Sequence, residues 1–178
     1  MATPPTFSAG AVLTAAQMNQ LGLFLIKTVT VGSGTSVVPV TDCFSSDYDN
    51  YKILISGVNS TGPVQLKFTL GNNTGNNYYG SAYYDAYTGG VTGANRTNNG
   101  GSLDCGFAEG SLREQWSTIE IGSPNLARST SLSGSYYGAT YSGWFSGTRA
   151  DTTQYTGFNL VSSSNLNGGT IRVYGYRN

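Results

Sequence analysis

The chain has 178 residues, a formal net charge of zero and only 10% charged residues, against about 25% in ordinary soluble proteins. So few charges give no field to steer a polyanion, which argues against nucleic acid as a partner. There is no histidine, which removes Ser-His-Asp and Cys-His nucleophile systems and the commonest metal ligand.

Residues 1–12 read as an extended arm. Pro4, Pro5 and Gly10 oppose regular structure, and Phe7 and Val12 are isolated apolar anchors. Such an arm is either docked on something or a disordered terminus. The one helix signature follows. Thr14 is a good N-cap, Gln17 completes a capping box, and Leu13 with Met18 forms a hydrophobic staple. Met18, Leu21 and Leu25 then fall at i, i+3 and i+7 as one apolar stripe. The helix should end near Phe24, is weakened by Gly22, and would be marginal alone in water. It therefore needs a surface: its own β-domain, a sister subunit or a larger assembly.

From residue 27 the pattern changes to period two. Strands are expected at 27–31, at 36–40 (an edge or strand end, because Pro39 cannot donate to a ladder), at 51–58 and at 64–70. In the last, Val64, Leu66, Phe68 and Leu70 should face in, and Gln65, Lys67 and Thr69 out. Residues 78–87 form a strand with tyrosines on both faces. Residues 88–102, rich in Gly, Asn and Thr, read as a surface loop that cannot bury itself. Further strands are expected at 103–108, 115–121, 129–137, 140–148, 154–161 and 170–177. Ten or so short strands about 10–14 residues apart, with no helix between them, predict an all-β fold, an antiparallel sandwich or barrel. Residues 1–26 would be the arm and helix, and 27–178 the β-domain.

Several strands lack charge on both faces, as at 140–148, where Tyr141 and Phe145 share one parity and Trp144 has the other. Two readings stand for these tyrosine-rich second faces: contact with another subunit, or an ordinary exposed β-surface. Cys43 and Cys105 form either one disulfide or two buried thiols. No basic segment precedes the first apolar stretch, and 21–26 is too short to span a bilayer. Synthesis in the cytoplasm without a membrane anchor is the expectation. The three Asn-X-Ser/Thr sequons are read as chance in so Asn- and Thr-rich a chain.

No chemistry-bearing motif stands out. None of the nine acids sits in a distinctive pattern for a glycosidase pair, and most border turns. Asp47-Tyr48-Asp49-Asn50 resembles the start of a calcium loop, but Lys52 and Val58 occupy the positions that an EF-hand reserves for Gly and Glu. Gly100-Gly101 and Gly168-Gly169 lack the lysine and helix of a phosphate loop. The expectation is a non-enzyme with no catalytic residue, metal or cofactor. The aromatic supply does suit carbohydrate, because sugar faces stack on rings. Tyr83, Tyr84, Tyr87, Trp116 and Trp144 are the candidates.

At the helix a family pattern emerges. Phe7-Ser8-Ala9-Gly10, followed by Val12-Leu13-Thr14-Ala15-Ala16-Gln17-Met18-Asn19, resembles the opening of many tailed-bacteriophage virion proteins. The ending Gly168-Gly169-Thr170-Ile171-Arg172-Val173-Tyr174-Gly175-Tyr176 is similar to the last strand of small phage jelly-roll proteins. Together these cover about 25 residues. The resemblance implies a virion location, with residues 1–26 anchoring the chain to other capsid or tail proteins through Phe7, Val12, Leu13, Met18, Leu21 and Leu25. A jelly-roll-like β-sandwich would then be exposed outside the particle, often as a homotrimer. Head decoration (cement) and fibre roles both remain open, as does the alternative of a glycan-binding host-adhesion module.

Overall fold

A computed structural model describes residues 10, 12, 22–72, 75–88, 92–110 and 115–176. Among these there are twelve strands and no helix: β1 Phe24–Thr30, β2 Thr35–Val40, β3 Asn50–Ser56, β4 Val64–Leu70, β5 Tyr78–Ala86, β6 Thr92–Gly100, β7 Leu103–Ala108, β8 Trp116–Gly122, β9 Thr130–Tyr137, β10 Tyr141–Arg149, β11 Phe158–Leu166 and β12 Thr170–Tyr176. They form two antiparallel sheets, stacked as a β-sandwich. One has eight strands in the order β1-β12-β3-β8-β9-β10-β5-β6, and the other has four in the order β2-β11-β4-β7.

The chain passes back and forth between the sheets. β1, β3, β8 and β12 lie in the first, and β2, β4, β7 and β11 in the second. Two hairpins, β5–β6 and β9–β10, interrupt this alternation. Both join the first sheet beyond β8, which makes it twice as wide as its partner. The inner layer follows from strict alternation along β-branched and aromatic strands. Ile53 and Ile55 of β3, Ile119 and Ile121 of β8, and Ile171 and Val173 of β12 face Leu66, Phe68 and Leu70 of β4 and Phe158 and Leu160 of β11, all fully buried. Burying such a side chain contributes roughly 1.5–3 kcal/mol, enough in sum to hold the sheets together.

The expected inward set of 64–70 is buried as read. Thr69, expected to face out, is buried as well. It pairs with Asn159 of β11, whose amide donates to the Gly71 carbonyl (3.0 Å) and Asn72 Oδ1 (3.2 Å). β2 with Pro39 is an edge strand, as expected.

Three expectations change. Most of the expected helix lies in 13–21, outside the described residues, but its C-terminal end is not helical. Gly22 has φ +101°, which no α-helix accommodates, and Phe24 opens β1, its ring 6.0 Å from that of Tyr48. The 88–102 loop is in large part β6, an edge strand paired with β5 alone; residues 89–91 lie outside the described set. An edge strand needs a ladder on one side and no core-facing apolar side chains, so Asn and Thr suffice and also blunt the edge. The strand expected at 154–161 begins at Phe158. The preceding residues bond to loops instead, Tyr155 N–H to the Pro124 carbonyl (2.8 Å) and the Thr156 carbonyl to Cys43 N–H (2.8 Å).

Cys43 and Cys105 are free and buried. Burial pushes the Cys43 thiol up to about 12 and raises that of Cys105 further. Neither thiolate forms near neutrality. Incubation of the native protein with Ellman's reagent at pH 8 should therefore label no thiol, and addition of denaturant should release two.

Candidate binding surface

The two outer faces of the sandwich differ in kind. On the four-stranded sheet the outward side chains are mostly polar, among them Gln65, Lys67, Asp104 and Asn159, and Val37 is the one exposed large apolar residue among those described. The eight-stranded sheet carries the exposed rings, because strand alternation sends one member of each aromatic-rich segment outward.

Register assembles four of these rings into a row. Trp116 of β8 lies directly opposite Tyr137 of β9. Tyr137 is opposite Ser142 of β10, and Trp144 lies two residues further along that strand. Trp144 in turn is opposite Tyr83 of β5. The staggered row Tyr83–Trp144–Tyr137–Trp116 thus crosses four adjacent strands, a span of roughly 14 Å at the usual strand spacing of ~4.8 Å. Exposure is 44% for Tyr83, 62% for Trp144, 50% for Tyr137 and 37% for Trp116.

Two contacts fix three of the rings. Tyr83 and Trp144 stack at 5.7 Å with 25° between their planes. The Trp116 indole N–H donates to Thr118 Oγ1 at 3.1 Å. Beneath the row the Tyr136 hydroxyl, reaching from the inner side, donates to the Tyr83 carbonyl at 3.1 Å. Between the rings the floor is short and hydroxylated: Ser142 and Ser135 lie beside Tyr137 and Trp144, and Thr118 beside Trp116. The outward charged side chains of β5, β8, β9 and β10 are Asp85 and Glu120. Glu120 is neutralised by Lys52 at 2.8 Å and accepts from the Tyr176 hydroxyl at 3.0 Å. Asp85 accepts from the Thr92 hydroxyl at 3.3 Å.

Of the five ring candidates, Tyr83, Trp116 and Trp144 come together here. Tyr84 faces inward and packs edge-on against Phe107 and Tyr141 at 5.3 and 5.5 Å. Tyr87 is exposed just past β5, with its hydroxyl donating to the Tyr141 carbonyl at 3.4 Å. Tyr137 was not singled out from the sequence. The Tyr136-Tyr137 pair in a strand must send one ring out, but only register shows that this one falls beside Trp116. Tyr79, also exposed, is one further ring on β5.

Of the anchoring candidates, Phe7, Leu13, Met18 and Leu21 lie outside the described residues. Val12 is 88% exposed and Leu25, on β1, 56%; Leu23, between them in the chain, is 52% exposed.

A second concavity, about 520 Å³, lies between β6 and the outer side of β4 and β7. Gln65, Lys67, Asn95, Thr97 and Asp104 line it, and no ring does. Burial raises the Asp104 carboxyl, against the opposing effects of the Lys67 charge and an Asn95 hydrogen bond. Asp47 of the loop weighed for calcium accepts from Ser45 Oγ at 3.1 Å, a local turn contact. Among the described residues no group of three or more His, Cys, Asp and Glu could hold a metal ion.

No protein-family model and no curated protein matches this sequence.

Proposed function

We propose that the protein is a non-enzymatic structural subunit of a tailed-phage particle, anchored through its N-terminal arm with the sandwich turned outward. Supporting this are the virion-like opening at 7–19 and the ending at 168–176. The strand path supports the finer fold reading too. With its two added hairpins set aside, the alternation of eight strands between a β1-β12-β3-β8 sheet and a β2-β11-β4-β7 sheet is that of a jelly roll.

The observation that carries the anchoring role is the exposure of Val12, Leu23 and Leu25 where the chain enters β1. The sandwich leaves these apolar side chains uncovered, and an assembly partner would cover them. Copies of the chain and other virion proteins are the partners that fit, a homotrimer being the expected oligomer. A chain lacking residues 1–22 retains the whole of β1 and should keep its β-sheet circular dichroism. Its incorporation into particles should fall by more than about tenfold, a loss of ~1.4 kcal/mol or more of docking free energy. Undiminished incorporation would sink this reading.

The second reading, a glycan-binding module for host adhesion, is favoured by the ring row on the eight-stranded sheet. Loss of adsorption to host cells when the full-length protein competes for their surface is its test.

A further inference from the structure

We propose that the row Tyr83–Trp144–Tyr137–Trp116 is a platform for a neutral polysaccharide, whose pyranose rings stack along it across β5, β10, β9 and β8. This rests on the adhesion reading and goes beyond it by naming the surface and the class of sugar. Three observations lead to it.

The rings are exposed yet held. The Tyr83–Trp144 stack and the Trp116–Thr118 hydrogen bond fix three of the four before a ligand arrives, so little of their side-chain entropy remains to be lost on binding. A flat ring offers an apolar face to the axial C–H groups of a sugar, and the stagger spaces the four rings along the path of a chain.

The floor between the rings has the wrong composition for a protein contact. The core of a protein–protein interface is depleted in serine, whereas Ser135 and Ser142 lie between these rings, with Thr118 next to Trp116. Hydroxyls at that depth can donate to and accept from sugar hydroxyls at the edges of a stacked pyranose.

Charge selects the class. The charged groups facing outward on these four strands are the acids Asp85 and Glu120, and Glu120 is already paired with Lys52. Of the two flanking strands, β3 supplies Lys52 to Glu120, and β6 carries the exposed Arg96 opposite Ser81, diagonal to Tyr83. The face thus sets two acids against two cations and has no net charge to draw in a polyanion, which favours a neutral hexose polymer.

The chain's two tryptophans are both in the row, so its tryptophan emission reports on this surface alone. Affinity electrophoresis of the full-length protein through gels containing dextran, yeast mannan, galactomannan or alginate tests the proposal, with tryptophan emission titrated against the same polymers. Retardation and an emission shift are expected in at least one neutral polymer and not in alginate. Trp144→Ala and Tyr137→Ala should each weaken binding by about 2- to 10-fold, and together abolish retardation. Val37→Ser, on the opposite sheet, should bind as the parent does. A folded double variant that still binds a neutral polymer would overturn the platform and leave the adhesion reading standing. Retardation in alginate alone would overturn the ligand class. Retardation in no polymer would remove the adhesion reading and the proposal with it. Concentration-dependent self-association abolished by Trp144→Ala, without glycan binding, would make the row an interface between copies and overturn the proposal.

Discussion

Replacing Arg149 by alanine should cost about 3–5 kcal/mol of folding stability, the usual penalty for breaking a buried ion pair from one side. Arg149 ends β10, and 2% of its side chain is exposed. Its Nε donates to Asp151 Oδ2 at 2.7 Å and its Nη1 to the Gly75 carbonyl, while the guanidinium lies 4.6 Å from the centre of the Tyr78 ring. The Tyr78 hydroxyl in turn accepts from the Leu70 N–H at the end of β4. One side chain thus ties β10, the turn before β5 and the end of β4 together. Its loss leaves Asp151 with Tyr155 as its hydroxyl partner and opens a cavity beside Tyr78. For a chain of this size each kcal/mol is worth ~2–4 °C, so the melting temperature should fall by at least ~6 °C. Arg149→Lys keeps the charge but cannot reach Asp151 and Gly75 together, and should fall between. A melting temperature within one or two degrees of the parent for Arg149→Ala would refute this role.

The same cluster sets an acid limit. Burial alone would raise the Asp151 carboxyl, but hydrogen bonds from Arg149, Tyr155 and the Thr153 N–H, with the Arg149 charge, outweigh it and hold the group below the ordinary carboxylate range. A depressed folded-state pKa means that the stabilisation is fully present above the unfolded value, about 3.9, and is lost as pH falls through the folded value. Asp104 works the other way: its raised pKa makes ionisation cost stability as pH rises. Denaturant melts from pH 3 to 7 should therefore lose the Asp151 contribution in Arg149→Ala, leaving a flatter acid limb.

Phe158→Ala should be comparably severe, about 3–5 kcal/mol. Phe158 starts β11, an inner strand of the four-stranded sheet, and is 1% exposed. It stacks on Phe68 at 4.8 Å with 18° between the planes and on Phe44 at 5.9 Å, while Phe44 meets Tyr51 edge-on at 4.7 Å. Truncation removes the middle ring of a column joining β4, β11 and the 41–49 loop to β3. That cavity cannot readily collapse, because Phe68 sits on a strand paired on both sides and the Phe44 N–H is tied to the Thr156 carbonyl at 3.1 Å. Phe158→Leu, which fills much of the space, should recover a large part of the loss. Equal urea midpoints for the alanine variant and the parent would contradict this account.

What the sequence determined by itself was the class of fold and most of its inner surface. Period-two alternation of β-branched and aromatic residues is local, so Val64, Leu66, Phe68 and Leu70, or Ile119 and Ile121, identify their buried face without any partner. The absence of histidine and the scarcity of charge likewise follow from composition. Tertiary structure decided the rest, because pairing is non-local. β6 is a strand only because β5 offers it a ladder; its Asn- and Thr-rich sequence carries no core signal. Phe24 and Leu25 could continue a helical stripe, yet β12 draws them into an edge strand. The candidate surface is the clearest case. Tyr83, Trp116, Tyr137 and Trp144 are separated by up to 61 residues in sequence, and only the β8-β9-β10-β5 order sets them side by side, since strand register, which fixes which outward side chains are neighbours, is a property of the whole sheet.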